Sequence, residues 1–160
     1  MEDMSSVQAM WSDFVKSIGK PPEEMNDKYT SWYFGADQET ANELAELVLC
    51  GTKKATASLH EVYEYENEPL PKVGDYSIIT DWGGEAKCII KTTAINIRPF
   101  KEVPASFALR EGEGDKSLEY WKKVHRHFFS EECKDMSKTF DEDMLVICEE
   151  FKVVYISEVE

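Results

Sequence analysis

The segment Gly51-Thr52-Lys53-Lys54-Ala55-Thr56-Ala57-Ser58 sets two adjacent lysines and several hydroxyls behind a glycine, with no acid among them. In a chain with 32 acidic and 18 basic residues, that local imbalance stands out. A lysine beside a second cation is expected to titrate below its ordinary range. A neutral lysine accepts a proton from a hydroxyl or a water. Thr56 follows Lys53 by three positions. A turn brings those two side chains together, whereas a straight strand points them to opposite faces. The competing account of the same residues is a solvated lysine pair beside a β-favouring threonine.

Two further stretches carry usable chemistry. Glu111-Gly112-Glu113-Gly114-Asp115 reads as a flexible acidic loop before a helix. Neighbouring carboxylates raise one another's pKa and so supply a general acid or base. Three acids also suit a hard cation such as Mg²⁺ or Mn²⁺, or simply favour the start of the following helix. From Lys116 to His127 the basic residues Lys116, Lys122, Lys123 and Arg126 face a single acid, Glu119. Lys122, His125 and Arg126 are expected to line one helix flank and to meet a phosphate there. The competing account is an ordinary solvated helix face. Trp82 and the run Trp32-Tyr33-Phe34 stack a nucleobase if exposed near cations, and otherwise belong to the core.

These residues need a scaffold, and the apolar spacing outlines one. Val7–Ile18 has a helical stripe of Met10, Trp11, Phe14, Val15 and Ile18, closed by Gly19, Lys20, Pro21 and Pro22. A second helix is expected from Gln38 to Cys50, capped by Asp37 and left through Gly51. Ala55–Leu59 and Tyr76–Thr80 read as extended, and Asp81-Trp82-Gly83-Gly84 as a tight turn into a run at Ala86–Ile97. A short helix after Pro104 precedes a long one capped by Ser117, with Leu118, Trp121, Val124, Phe128 and Phe129 inward. Met144–Ile156 closes the chain as one or two strands. The expected class is α+β, a small, mostly antiparallel sheet, curved or closed into a barrel, with helices at its ends.

Composition sets the outer limits. At 160 residues the chain fits a single domain, 1–160, with no repeat or linker. The N-terminus lacks the basic-then-apolar order of a secretory signal and no run is long enough to span a bilayer, so a cytoplasmic protein without membrane contact is expected. Cys50, Cys88, Cys133 and Cys148 are widely spaced and read as buried reduced thiols. His125, His127 and Cys133 lack a second ligand cluster, so structural zinc is not expected. The net charge of −14 opposes tight binding to duplex DNA and leaves room for a small ligand in a locally basic pocket.

The pattern Gly51-x-Lys53-x-x-Thr56 resembles the signature of the ASCH family. The surrounding phrases resemble its longer bacterial branch: Trp32-Tyr33-Phe34-Gly35, Leu47-Val48-Leu49-Cys50-Gly51, Val73-Gly74-Asp75, Glu111-Gly112-Glu113-Gly114-Asp115, Trp121-x-x-x-His125, Phe128-Phe129 and the strand Val146–Phe151. That resemblance implies a PUA-like small curved β-barrel flanked by helices, and a modified nucleoside or single-stranded RNA as ligand. It also implies an amidohydrolase of acetylated cytidine. The catalytic set becomes Lys53, Thr56 and Glu113, with Lys53 as base, Glu113 as proton shuttle and Gly51 in an oxyanion turn. Gly51, Lys54, Ser58, Trp82, Asp115, Lys122, His125 and Arg126 are expected to line the substrate site. The chain departs from the family at Ser58, where many members carry an arginine. Two other activities are implied. One is a ribonuclease of single-stranded RNA, in which Lys53 and His125 assist a 2′-hydroxyl attack and the 111–115 acids hold a divalent metal. The other is a non-catalytic module for a modified base or RNA end. No cofactor is expected outside the ribonuclease case. Lys53, at a helix exit beside a glycine, is expected to lie outside the core, so that its removal costs little stability.

Overall fold

The structure, a computed structural model, describes residues 5–20 and 29–156. Its elements in chain order are α1 (Ser6–Ser17), β1 (Tyr29–Trp32), α2 (Gln38–Leu49), β2 (Ala55–Leu59), α3 (His60–Glu66), β3 (Tyr76–Thr80), β4 (Ala86–Pro99), a 3-10 turn at Phe100–Glu102, α4 (Ala105–Glu111), α5 (Leu118–Asp135) and β5 (Leu145–Ile156). Among the described residues this is a mixed α+β fold of five helices and one five-stranded sheet, ordered β1-β3-β4-β5-β2. β3 runs antiparallel to β4 and β2 antiparallel to β5, while β1 joins parallel to β3.

The helix ends follow from their capping residues. Ser5 and Gln8 form a reciprocal capping box at α1. The Asp37 carboxylate accepts the Thr40 N–H at 2.8 Å, and the Ser117 hydroxyl accepts the Tyr120 N–H at 3.1 Å. Gly51 leaves α2 at φ +83°, as a glycine after a helix does. Pro21 and Pro22, expected to stop α1, lie outside the described residues.

The contacts divide into two compact units. The first holds residues 1–51, 74–92 and 151–160. Its strand residues alternate between two apolar clusters, as period-two side chains must. Ile78 and Ile89 pack with Met10, Trp11, Phe14 and Val15 of α1. Their neighbours Ile79, Cys88 and Ile90 pack with Ala45 and Val48 of α2 and with Phe34. With helices over both faces, this part of the sheet is apolar on both, which is why Ser77–Thr80 and Cys88–Ile90 show no clean polar alternation.

The second unit holds residues 52–73 and 93–150. Ala55 and Leu59 of β2, Val146 and Cys148 of β5, Phe107 and Ala108 of α4, and Trp121, Phe129 and Cys133 of α5 form one core around Phe100. The Phe100 ring lies 5.4 Å from Trp121 and 5.1 Å from Phe140, in the offset and edge-on geometries aromatic pairs prefer.

Several expectations are corrected. β1 and α3 carry no strong sequence signal: β1 has four residues, and α3 has seven residues, none of them buried and no side-chain cap. The parallel β1 makes the sheet mixed. Cys88, Cys133 and Cys148 are buried free thiols, but Cys50 is exposed at the end of α2. Glu111 belongs to the last turn of α4 and not to a flexible loop. Among the described residues, no helix is long and apolar enough to cross a membrane.

Candidate active site

The site grows from the meeting of the Thr52–Lys54 segment with the end of α4, both in the second unit. Arg110, one residue before the helix ends, gives its carbonyl to the Lys54 N–H at 2.8 Å. The helix then turns at Gly112, whose φ is +68°. A Cβ at Gly112 would sit 2.3 Å from the Thr52 carbonyl oxygen, so only glycine allows this approach. With Lys54 anchored, Lys53 points inward and Lys54 stays at the surface.

Lys53 is 2% exposed. Its Nζ donates to Glu113 Oε2 at 2.7 Å and to Glu111 Oε2 at 3.3 Å. His125, on α5, brings Nε2 to 3.5 Å from Glu111 Oε2, while its Nδ1 lies 2.9 Å from the Trp121 carbonyl. The imidazole is stacked on the Trp121 ring, with centroids 4.2 Å apart. Lys53, Glu111 and His125, buried, and Glu113, half-buried, thus form one ionic cluster. Within it Glu111 Oε1 accepts no hydrogen bond among the described residues, and the Trp121 indole N–H also lacks an acceptor.

Burial and charge set the protonation states. Burial pulls the Lys53 ammonium down, but the charges and hydrogen bonds of Glu111 and Glu113 outweigh it and hold the pKa above the ordinary lysine value. Burial pushes Glu111 up, and the facing Lys53 and His125 charges reverse this, keeping it ionised well below the usual carboxylate range. For Glu113, burial and a carboxyl–carboxylate hydrogen bond with Glu111 win, and its pKa rises to about 7. Burial lowers His125, but the Glu111 charge and hydrogen bond raise it overall. Two carboxylates with pKa values pushed apart are the pattern of a charge-holding acid and a proton-exchanging one.

This corrects two expectations for Lys53. It is a core residue, and it is held protonated, because two carboxylates and not the exposed Lys54 dominate its surroundings. Of the two carboxylates, Glu113 is the one whose pKa is raised, to about 7.

The other expected site residues are spread more widely. Thr56 is half-buried on β2 opposite Glu149, and makes none of the hydrogen bonds that join Lys53 to the two carboxylates. Ser58 pairs its hydroxyl with the Tyr63 hydroxyl at 3.0 Å. Asp115 accepts the Ser117 N–H at 2.8 Å and serves the start of α5; the Ser117 hydrogen bonds lower its pKa. Lys122, His125 and Arg126, at i, i+3 and i+4 on α5, are neighbours along the helix but differ in burial. Arg126 is exposed, bonds Glu142 at 2.9 Å and covers the Phe100 ring, and Lys122 is half-buried. His125 turns inward because Trp121, His125, Phe129 and Cys133, spaced by four, are the buried stripe of α5. That spacing was the available signal for His125. Glu111 was missed as a distinct member because Gly112 and Gly114 after it suggested that the whole 111–115 stretch is a loop. In the first unit, Trp82 packs its ring 4.8 Å from Tyr33 and donates its backbone N–H to the Asn42 side-chain oxygen, and Gly51 ends α2.

Glu111, Glu113 and His125 are ligand types for a divalent ion, with one ligand atom of each within 4.8 Å of the others. The Lys53 ammonium, however, already lies within hydrogen-bond reach of both carboxylates. A metal there would have to coexist with a buried ammonium or displace it. The site as built supplies its own cation and fits a resident metal poorly.

The ASCH domain profile matches residues 30–155. Among solved structures, the chain is similar to an ASCH domain from Lactobacillus crispatus JV V101, at 39% identity over 94% of both chains, with a TM-score of 0.88. It is also similar to protein EF3133 from Enterococcus faecalis V583, at 36% identity over 94% of this chain and 89% of that one, with a TM-score of 0.85. No curated protein matches the chain. A profile covering most of the sequence and a likeness of this extent place the chain in the ASCH domain family.

Proposed function

We propose that the protein is a metal-independent hydrolase of a modified nucleoside or of modified single-stranded RNA, removing the acetyl group from acetylated cytidine. The observation that carries this reading is the Lys53–Glu113 contact: a fixed ammonium 2.7 Å from a carboxyl group whose pKa is raised to about 7. The Glu113 carboxylate takes a proton from the nucleophile, the Thr56 hydroxyl or a water. The nucleophile attacks the acetyl carbonyl carbon. The Lys53 ammonium stabilises the charge on the former carbonyl oxygen. The C–N bond then breaks, and Glu113 returns the proton to the departing cytosine amine. Glu111 and His125 keep Lys53 and Glu113 in place. An acetyl group left on Thr56 leaves by the same steps with water as nucleophile.

We also read the sheet as the PUA-like small curved barrel of this family, residues 1–160 as a single working domain, and the cytoplasm as its place of action. Duplex DNA and membranes are not among its partners, given a net charge of −14 and no membrane-length apolar helix among the described residues.

Turnover of N4-acetylcytidine to cytidine and acetate, followed with and without a chelator, tests this. Equal turnover in both is expected. No release of acetate refutes the reading, and chelator-sensitive cleavage of single-stranded RNA by the same preparation favours a ribonuclease.

A further inference from the structure

Beside the cluster, in the same unit, is a cleft of about 220 Å³. Asn96 and Arg98 alternate on β4, and Cys148 and Glu150 on β5, so each pair shares a face of its strand. Ser106 and Arg110, four apart on α4, add to the lining beside Pro104 and Phe107. Arg110 bonds the Glu150 carboxylate, which neutralises that acid. Arg98 is half-buried, and among the described residues no carboxylate pairs with it and no side chain bonds it. With two arginines and one carboxylate among its lining residues, the cleft keeps one net positive charge. An uncompensated, half-buried guanidinium is unexpected in a chain of net charge −14. The Ser106 hydroxyl and the Asn96 amide add neutral donors that suit a tetrahedral oxyanion.

The cleft also stands in a definite relation to the cluster. Arg110 is followed directly by Glu111, and its carbonyl anchors Lys54. The last turn of α4 therefore carries the cleft's second arginine and a member of the ionic cluster at consecutive positions, their side chains about 100° apart around the helix.

We infer that this cleft holds a phosphate group of the substrate, gripped by Arg98, so that the ligand is a cytidine nucleotide or a phosphodiester-linked cytidine and not the free nucleoside. The inference rests on the nucleoside-directed reading of the Lys53 cluster and adds the anionic half of the ligand. It gives Ser58, whose hydroxyl pairs with the Tyr63 hydroxyl, no part in charge recognition.

Equilibrium binding by calorimetry tests it with deacetylated probes: cytidine, cytidine 5′-monophosphate, and the dinucleoside monophosphate of cytidine. The wild-type protein is expected to bind cytidine 5′-monophosphate about tenfold or more tightly than cytidine, the worth of one charge-assisted fork. R98Q should erase that difference, and R98K, which keeps the charge but not the fork, should retain part of it. Equally tight binding of the dinucleoside monophosphate identifies a phosphodiester as the recognised group, and much weaker binding identifies a terminal phosphate. Equal affinity of the wild-type protein for cytidine and its monophosphate overturns the inference, as does no binding of either at millimolar concentration. An undiminished preference in R98Q, melting like wild type, also overturns it. Acetate release from N4-acetylcytidine is a separate measurement, so the hydrolase reading and the phosphate cleft stand or fall apart.

Discussion

Replacing Lys53 by methionine keeps most of the side-chain volume and deletes the charge. At an effective dielectric of 20, a unit charge at the Lys53–Glu111 distance of 3.3 Å is worth about 5 kcal/mol, and at the Lys53–Glu113 distance of 2.7 Å about 6 kcal/mol. Desolvation of all three groups offsets most of that gross attraction. The loss on removing one partner is therefore smaller, about 3–5 kcal/mol, and comes mainly from the charge left buried and unmatched. Here that charge is Glu111, 1% exposed, with His125 as its remaining positive partner. For a chain of this length the loss lowers the melting temperature by roughly 6–20 °C. Differential scanning calorimetry of Lys53→Met and of the double variant Lys53→Met/Glu111→Gln measures it. The double variant should recover part of the loss, because no ionised carboxylate is then stranded. The single variant should also lose acid-side stability less steeply. In the wild type, Glu111 titrates below its unfolded value, so its contribution is present above the ordinary carboxylate pKa and lost as pH falls through the lowered one. Without Lys53 that lowering largely disappears. A Lys53→Met protein melting within about 0.5 kcal/mol of wild type, the range of an ordinary surface change, would falsify the account of Lys53 as the counterion of buried carboxylates.

Three further outcomes follow from the same geometry. Turnover should rise with pH through about 7 as Glu113 ionises, while the stability Glu113 contributes is full below its unfolded pKa and lost as pH rises through its folded value of about 7. Glu113→Gln should abolish that limb of the pH–rate profile and lower turnover by about two to four orders of magnitude, and a variant that keeps both limb and rate removes Glu113 from the chemistry. Gly112→Ala places a Cβ 2.3 Å from the Thr52 carbonyl oxygen at a φ of +68°. It should cost about 1–3 kcal/mol by chemical denaturation and depress turnover by shifting Lys53, and a neutral melting curve with normal turnover contradicts the described approach of Thr52 to α4.

Most of the scaffold could be read from sequence because its signals are local. Asp37 and Ser117 cap the helices expected of them, and Gly51 ends α2, since each choice depends on neighbours a few residues away. β2 and β3 fall where their β-favouring runs lie. The electrostatics of the site could not be read this way. Nothing near Gly51-Thr52-Lys53-Lys54 indicates that the third residue is buried and the fourth exposed, because the deciding carboxylates are 58 and 60 residues away. The proximity of Lys54 suggested a depressed lysine pKa, but charge at 2.7 Å across the fold outweighs charge next door in sequence when the neighbour points to water. His125 lay between the two accounts. Its basic neighbours pointed to a surface flank, and its spacing from Trp121 and Phe129 pointed inward; apolar burial of that face prevailed.

The Lys53 contacts also govern when during synthesis the site comes into being. A nascent chain exposes Lys53 to solvent while the next 58 residues are still being added, and the partner that closes the cluster, His125, emerges only within α5. Until then the lysine is hydrated and mobile and no carboxyl group has its raised pKa. The ionic cluster needs the end of α4 and the buried stripe of α5, so it is completed only as Trp121 and Phe129 pack into the second unit. A partly made chain therefore has Lys53 without the carboxylates that hold it in the finished fold.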